Sequence, residues 1–324
     1  MTNGEALIEA EGLHRFFGPT PAVQDLGFTL HRGEILGFLG ANGAGKTTTM
    51  EMLTGNLAPS GGRIVLNGRD LLERPQDAKA AVGYLPETLP LYRTMTVDAY
   101  LRFCARLNRV PRGAVADKVE TAKRRCGLSD MGERVIANLS RGYKQRVGIA
   151  QAIVHEPEVL ILDEPTNGLD PIQVREIRQL IRELGESHSV ILSSHVLPEV
   201  EAICTRVQII HAGRLVLAED VAALRARMQH RSLVIGGRNL PDAGTLAAIA
   251  GVAQVEALED GRMRVFHDAD ANPAETLVAR AAAEDWGLHE LTPERKSLEQ
   301  VFVDLTGGDP SAVQDAQQQE ALAA

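Results

Sequence analysis

The sequence predicts an α/β protein with a mostly parallel sheet, followed by a small α+β domain. Apolar runs without polar alternation, typical of strands buried on both faces of a sheet, occupy positions 35–39, 159–162, 190–192 and 207–210. Longer helical patterns separate these runs, as expected where parallel strands are joined by crossover helices. After position 213 the character changes, and alanine-rich helical stretches mix with short apolar runs.

The pattern also divides the chain into segments. Leu101, Ala105, Val115 and Val119 have the spacing of amphipathic helices, which predicts a helical subdomain at about 88–157. We expect a small accessory domain over residues 220–306. A tail at 307–324, rich in Gly, Gln, Ala and Asp, is predicted to be disordered.

Composition excludes several classes of protein. The formal net charge is -9 over 324 residues, which argues against nucleic acid as a partner because such binding requires clustered Lys and Arg. The three cysteines show no CxxC pairing, so we expect reduced thiols in a cytoplasmic protein rather than disulfides or a zinc site. We detect no signal peptide and no apolar run near the ~18 residues of a membrane span.

A glycine-rich loop predicts phosphate binding. The stretch from Gly40 to Thr47 fits G-x-x-x-x-G-K-[ST] and lies between a predicted strand and a predicted helix. Backbone N–H groups of such a loop surround phosphates, the lysine reaches the β- and γ-phosphates, and the hydroxyl binds Mg²⁺. The alternative, an accidental match in a glycine-rich turn, is disfavoured by the strand before it and the helix after it. The predicted ATP-binding residues here are Gly40, Asn42, Gly43, Ala44, Gly45, Lys46, Thr47 and Thr48.

Two acidic residues end the apolar run at 159–162. Asp163 is predicted to hold Mg²⁺ together with Thr47, and Glu164 to accept a proton from the attacking water. The alternative is a solvated strand end before the turn at Pro165. His195 closes another apolar run about 30 residues on, and strand ends meet at one crevice of a parallel sheet. A neutral imidazole there is expected to bond the γ-phosphate and to align Glu164 with water.

In this order, the motifs resemble those of the ATP-binding cassette (ABC) family, over about residues 5–218. The most specific match is the segment 139–146, LSRGYKQR, which resembles the family signature sequence. Residues 168–170 resemble the D-loop, His195 the switch histidine, and 82–87 the loop leading into the helical subdomain. The resemblance implies a P-loop NTPase fold and ATP hydrolysis, with Phe17 stacked on adenine.

The resemblance further implies a head-to-tail dimer with ATP held between two copies. Ser140 and Gly142 would then meet the γ-phosphate bound by the partner copy, Asp170 would join the same nucleotide site, and Glu87 would be a further Mg²⁺ ligand. A separately encoded transmembrane permease is the implied second partner, and it places the chain at the inner face of the cell membrane. The family usually has Gly, Gln and Gln where this chain has Arg141, Tyr143 and Glu87.

These departures are similar to variants in ATPases of ABC-2-type exporters, including the gliding-motility and nitrous-oxide-reductase maturation groups. The segment 297–302 resembles the end of the accessory domain in that branch, although an amphipathic helix is an alternative. Three other functions remain open at this point: a cassette ATPase acting on nucleic acid or ribosomes, a nucleotide sensor with little turnover, and a cassette protein of iron–sulfur assembly. Glu164 disfavours the sensor, because a site that only binds needs no base.

Overall fold

The computed structural model describes residues 4–258, 260–267, 271 and 273–295. The chain forms two compact units, Met1–Val221 and Ala222–Ala324. The predicted tail at 307–324 and the segment at 297–302 lie outside the described residues. Within the described part of the chain, no helix is both long and apolar enough to span a bilayer.

The first unit contains two sheets and seven helices within its described residues. Its strands are β1 (Ala6–Phe17), β2 (Thr20–His31), β3 (Ile35–Leu39), β4 (Gly61–Leu66), β5 (Arg69–Asp70), β6 (Val82–Leu85), β7 (Val159–Asp163), β8 (Ser189–Ser194), β9 (Arg206–His211) and β10 (Arg214–Asp220). Its helices are α1 (Lys46–Leu53), α2 (Pro75–Lys79), α3 (Val97–Leu107), α4 (Val115–Arg125), α5 (Arg141–Ile153), α6 (Pro171–Gly185) and α7 (Leu197–Ile203).

The central sheet confirms the predicted α/β class. Its six strands lie in the order β10-β9-β3-β8-β7-β6, and all neighbours are parallel except the antiparallel pair of β9 and β10. The strands β3, β7 and β8 are buried along their whole length, which explains the apolar runs within them. Because β3, β8 and β7 are parallel neighbours, the residues that follow them emerge at one edge of the sheet.

A second sheet of the first unit was not predicted. Its four strands are antiparallel, in the order β2-β1-β4-β5. Irregular register between β1 and β2 interrupts their alternation of polar and apolar residues, so the sequence shows no clean strand signal. The two sheets and α1 enclose one core, in which Phe28 of β2 meets Phe38 of β3 edge to face at 4.9 Å.

The helices α3, α4 and α5 lie within the predicted helical subdomain. Thr96 caps α3 by accepting a hydrogen bond from the Ala99 N–H at 3.2 Å, and Ser140 caps α5 through the Tyr143 N–H at 3.4 Å. Lys123 of α4 is buried and bonds Asp98 of α3 at 2.9 Å, which joins the two helices. This segment connects β6 to β7, so it begins and ends at the central sheet.

The second unit has the βαββαβ order of a ferredoxin-like fold. Following α8 (Val221–Met228), its elements are β11 (Gln229–Gly237), α9 (Ala243–Ala247), β12 (Val252–Ala257), β13 (Met263–His267), α10 (Ala274–Ala283) and β14 (Leu288–Arg295). The four strands form an antiparallel sheet in the order β12-β13-β11-β14. Apolar side chains of the sheet, including Ile235 and Val265, pack with Leu246, Leu277 and Trp286. This unit is therefore a small α+β fold with its own core.

Candidate functional site

The loop between β3 and α1 is shaped by its glycines. Gly45 has φ +103°, and a Cβ at this position would lie 2.5 Å from the Ala22 carbonyl oxygen. Only glycine therefore combines the left-handed backbone with such close packing of β2 against the loop. The helix α1 begins at the next residue, Lys46, without a side-chain cap and without an acidic residue in its first turn. Its N-terminus is thus available to an anion.

The side chain of Lys46 is buried and points back over this loop. Only 5% of the residue is exposed, and its Nζ donates to the carbonyl oxygens of Gly40 at 2.8 Å and Ala41 at 3.2 Å. The same Nζ lies 3.4 Å from Oε1 of Glu164, which has 7% of its surface exposed. The lysine that ends the glycine-rich motif and the second acidic residue after β7 therefore form a buried ion pair.

Glu164 also contacts His195, so three predicted site residues meet at the ends of adjacent strands. Oε2 of Glu164 lies 3.0 Å from Nδ1 of His195. Burial would raise the pKa of Glu164, but the bond from His195 and the nearby Lys46 charge outweigh it and lower the pKa. The bond to Glu164 raises the pKa of His195 despite partial burial. Glu164 therefore makes this imidazole easier to protonate than a free one. The neutral ring expected from the sequence stays a prediction.

Asp163 is fully buried at the end of β7. Its Oδ1 accepts a hydrogen bond of 2.5 Å from Ser193 of β8, while its Oδ2 has no hydrogen-bond partner among the residues that the structure describes. Burial raises the pKa of Asp163, although the Ser193 bond and the nearby Thr47 hydroxyl favour its charged form. An orphaned carboxylate oxygen next to a hydroxyl is a donor set that suits a small divalent cation.

Other predicted residues of the loop are more exposed. Asn42 and Gly43 are exposed at its tip, Thr47 and Thr48 are half-buried in the first turn of α1, and Ala44 is buried beneath them. Phe17 ends β1, is 50% exposed, and has the Arg15 guanidinium 4.9 Å from its ring centre. It pairs with Thr20 in the hairpin that leads to Ala22. Because Ala22 lies against Gly45, this hairpin borders the loop.

The predicted signature and D-loop residues lie at the starts of two helices. Ser140 caps α5, and a Cβ at Gly142 would lie 2.8 Å from the side chain of Gln173 in α6. Asp170 caps α6 by accepting hydrogen bonds from the N–H groups of Ile172 and Gln173, each at 3.0 Å. Within the chain, Ser140 and Asp170 are therefore the N-caps of α5 and α6. Gly142 packs against the side chain of Gln173.

Glu87 follows β6 and accepts a hydrogen bond of 3.2 Å from the Asn167 side chain. Together with Arg141, Gln145 and Glu164 it lines a cavity of about 500 Å³. Glu87 therefore lines the same cavity as Glu164, the residue that follows Asp163 in the chain.

Sequence reasoning missed two side chains of this site. Ser193 bonds Asp163 and also accepts a hydrogen bond of 2.9 Å from the Glu164 N–H. Gln145 of α5 is buried and donates to the Pro165 carbonyl at 2.6 Å. A signal for the first was present, because two serines at the end of the apolar run at 190–192 are buried polar groups that require partners. No local pattern pointed to Gln145.

Comparison with known proteins places this architecture in one family. The family model described as ABC transporter matches residues 23–167. The linearmycin resistance ATP-binding protein LnrL of Bacillus subtilis (strain 168) is 30% identical over 309 residues, which cover 93% of this chain and 98% of that protein. The bacitracin transport ATP-binding protein BcrA of Bacillus licheniformis is 32% identical over the same coverage.

Solved structures agree with this result. A structure of the ATP-binding subunit of an ABC transporter superimposes with a TM-score of 0.62 and 30% identity, covering 68% of this chain and 92% of that one. The cbiO1 subunit of Clostridium perfringens gives a TM-score of 0.63 and 29% identity, with 68% of this chain and 90% of that one covered. With the glycine-rich loop, Lys46 and Glu164 in one buried cluster, the chain belongs to the ATP-binding, ATP-hydrolysing subunits of ABC transporters.

Proposed function

We propose that this chain drives an ABC-2-type exporter by hydrolysing ATP between two copies of itself. The observation that carries the proposal is the buried ion pair of Lys46, at the start of α1, with Glu164, which follows β7 and also lies 3.0 Å from the exposed His195 side chain after β8. A structural ion pair would not need a glycine-rich loop and an uncapped helix N-terminus beside it.

The phosphates of ATP would lie against the loop and the start of α1. The groups proposed to bind them are those of Gly40, Asn42, Gly43, Ala44, Gly45, Lys46, Thr47 and Thr48. Phe17 would stack on adenine, which its exposure on the bordering hairpin supports. Lys46 now directs its charge at two carbonyls and Glu164, so a bound phosphate would draw its Nζ away from the carboxylate.

Mg²⁺ would be held by Asp163, Thr47 and Glu87. The donors fit, because Oδ2 of Asp163 is buried and accepts no hydrogen bond from the described part of the chain. Bound there, the ion would neutralise charge on the phosphate oxygens. Ser193 fixes the other carboxylate oxygen of Asp163, so this side chain is oriented before any cation arrives.

For hydrolysis, Glu164 would accept a proton from the attacking water. Its lowered pKa keeps the carboxylate ionised near neutral pH, as a base requires. His195, at 3.0 Å, would hold the carboxylate in place and donate toward the phosphate. When a phosphate of ATP pairs with Lys46, the ion pair between Lys46 and Glu164 would break. The Glu164 carboxylate could then accept the proton of the water.

The dimer is proposed because Ser140 and Gly142 lie at the start of α5, where an anion is favoured. Asp170, whose own carboxylate caps α6, is proposed at the same nucleotide site from the resemblance to the family. Ser140 is exposed at the start of α5, so a phosphate held by a partner copy can reach it. ATP would join the copies and hydrolysis would release them.

The proposed membrane partner is a separately encoded permease, with this chain at the cytoplasmic face of the membrane. Export is proposed because one relative is a linearmycin resistance protein and another is a bacitracin transport protein. Assignment to the gliding-motility or nitrous-oxide-reductase maturation groups stays a prediction from the sequence. Roles in iron–sulfur assembly or on nucleic acid and ribosomes are not favoured. The reason is that the match to these resistance and transport proteins covers 98% of their length.

Glu164→Gln tests the proposal. The amide keeps the shape of the side chain but cannot take a proton, so we expect ATP binding to persist and turnover to fall at least about 100-fold. Size-exclusion chromatography with ATP should show the variant as a trapped dimer. A monomer under these conditions, or turnover near that of the wild type, would contradict the proposal. Glu183→Gln, the same exchange at an exposed position on α6, is the matched control and should leave turnover unchanged.

A further inference from the structure

One buried carboxylate next to the site has no part in the proposed reaction. Glu199 lies in the first turn of α7, and 7% of the residue is exposed. A carboxylate is rarely buried to this degree unless other groups satisfy its oxygens.

Three donors from three different elements satisfy it. Thr166, in the loop after β7, donates to Oε2 at 2.5 Å, and Ser194, the last residue of β8, donates to the same oxygen at 3.0 Å. Arg178 of α6 donates to Oε1 at 3.3 Å. The two hydroxyl donors are 5% and 0% exposed, so these bonds form away from water, where charge-assisted hydrogen bonds are strong.

The two hydroxyl donors are close in sequence to the proposed catalytic residues. Thr166 follows Glu164 by two positions, and Ser194 immediately precedes His195. Ser194 Oγ also accepts a hydrogen bond of 3.0 Å from the N–H of Val196, and so spans the backbone of His195. A single oxygen of Glu199 therefore ties together the two backbone segments that carry the proposed base and the proposed switch histidine.

The backbone at Glu164 needs such support. Its φ of +46° lies in the left-handed region, which is unfavourable for a residue with a side chain. Such a conformation persists when surrounding contacts determine it. The Glu164 N–H donates to Ser193, and the following turn is held at Thr166 by Glu199.

We propose that Glu199 is a positioning residue for ATP hydrolysis, which acts through Thr166 and Ser194 to hold the Glu164 carboxylate against the His195 imidazole. This inference rests on the roles proposed above for Glu164 and His195. Glu199 itself touches neither nucleotide nor water in this scheme. Its contribution is the relative placement of two groups, for which small displacements are costly in rate.

Glu199→Gln and Thr166→Val remove this support in two ways. The amide introduced by E199Q keeps the size of the side chain but has one accepting oxygen, so it cannot serve both the hydroxyl pair and Arg178. Thr166→Val removes one donor and leaves Glu199 bonded to Ser194 and Arg178. We expect kcat to fall about tenfold in E199Q and about threefold in T166V. KM and ATP affinity should stay within about twofold, because neither residue belongs to the phosphate loop.

The experiment compares steady-state ATP hydrolysis, ATP binding and thermal unfolding of the full-length chain with those of E199Q, T166V and the double variant. The double variant should match E199Q, because Thr166 acts through Glu199. Glu183→Gln is again the control. A kcat of folded E199Q within about twofold of the wild type overturns the inference, as does a loss confined to KM. If E199Q does not fold, an unchanged kcat of T166V overturns it.

Glu164→Gln, measured beside them, separates this inference from the proposed function. If E164Q hydrolyses ATP normally, the proposed base is wrong and the positioning role falls with it. If E164Q loses turnover while E199Q and T166V keep it, only the role of Glu199 is wrong.

Discussion

Lys46 and Glu164 are buried, oppositely charged residues that form an ion pair. Lys46 bonds two loop carbonyls and pairs with Glu164, and Glu164 pairs also with His195. Removing one member of such a buried pair leaves the other charge uncompensated. Substitutions here therefore change both the chemistry of the site and the free energy of folding, and the two effects need separate measurements.

Lys46→Ala should weaken ATP binding by about 100-fold or more, because it removes the cation of the glycine-rich loop that the proposal assigns to the phosphates. Titration with a fluorescent ATP analogue measures this. Lys79→Ala is the matched control, since Lys79 also donates to a loop carbonyl, that of Gly55 at 2.8 Å, but is exposed. Affinity of K46A within about threefold of the control would refute the phosphate-site assignment.

His195 should make stability depend on pH. Its pKa is raised above the ordinary 6.5 by the bond to Glu164. Because the folded state binds this proton more tightly, the stabilisation is fully present below pH 6.5 and is lost as pH rises through the raised pKa.

We therefore expect His195→Ala to lower the free energy of unfolding more at about pH 5.5 than at about pH 8.5. Denaturant unfolding of both proteins at the two pH values measures the difference. Titrating groups that do not interact with His195 are present in both proteins and cancel in the comparison. An equal effect at both pH values would mean that the imidazole gains no proton affinity from Glu164.

At the scale of elements, the loop between β7 and α6 is held by the start of α5. Arg141 donates to the Asn167 carbonyl at 3.0 Å, and Gln145 donates to that of Pro165 at 2.6 Å. Gly168 has φ +66°, and a Cβ there would come within 2.0 Å of the Arg141 guanidinium. The arginine that departs from the family signature thus contacts the D-loop of its own chain, and a side chain at position 168 would have to displace its guanidinium.

A double-mutant cycle between Arg141→Ala and Gly168→Ala should show coupling. When Arg141 is present, the methyl group introduced by Gly168→Ala must displace the guanidinium. The cost of this displacement adds to the positive-φ penalty of about 1–2 kcal/mol. In the R141A background only the penalty remains, so the two effects should differ by about 1 kcal/mol in the free energy of unfolding. Gly18→Ala is the control, because Gly18 has φ +59° with nothing within 4 Å of a Cβ. Additive effects at Gly168 would exclude the contact.

At the scale of the whole molecule, the chain comprises two units, each with its own core. The first contains all residues proposed to act on ATP. Ser140 caps α5, and Gly142 packs against α6. In the proposed dimer, the phosphate that these two residues meet is bound by the second copy. The second unit is a ferredoxin-like fold, and the proposed reaction uses none of its residues.

Ser140→Arg, placed in the Glu164→Gln background, should abolish the dimer trapped by ATP while leaving ATP affinity unchanged, because Ser140 acts on the nucleotide of the partner copy. Size-exclusion chromatography and ATP titration measure the two properties. Ser129→Arg, at an exposed serine elsewhere in the helical segment, is the control and should leave the dimer intact. An ATP-dependent dimer of the S140R double variant would contradict the arrangement.

The sequence alone determined the parts of this protein that depend on local pattern. Uninterrupted apolar runs identified β3, β7 and β8, because strands buried on both faces need not alternate, and a mostly apolar run identified β9. The glycine-rich loop and the acidic pair were readable because their chemistry requires adjacent residues. The membership in the ABC family follows from the same motifs, and the relatives bear it out.

Tertiary structure decided what depends on contacts between distant positions. The antiparallel sheet of β1, β2, β4 and β5 escaped prediction, because its register shifts break the alternation that signals a half-buried strand. The bonds from Ser193 to Asp163 and from Thr166 to Glu199 join residues 30 and 33 positions apart. Their partners are chosen by the parallel order of β7 and β8, which brings two strand ends together. Only the folded chain could therefore show which polar side chains support Glu164 and His195.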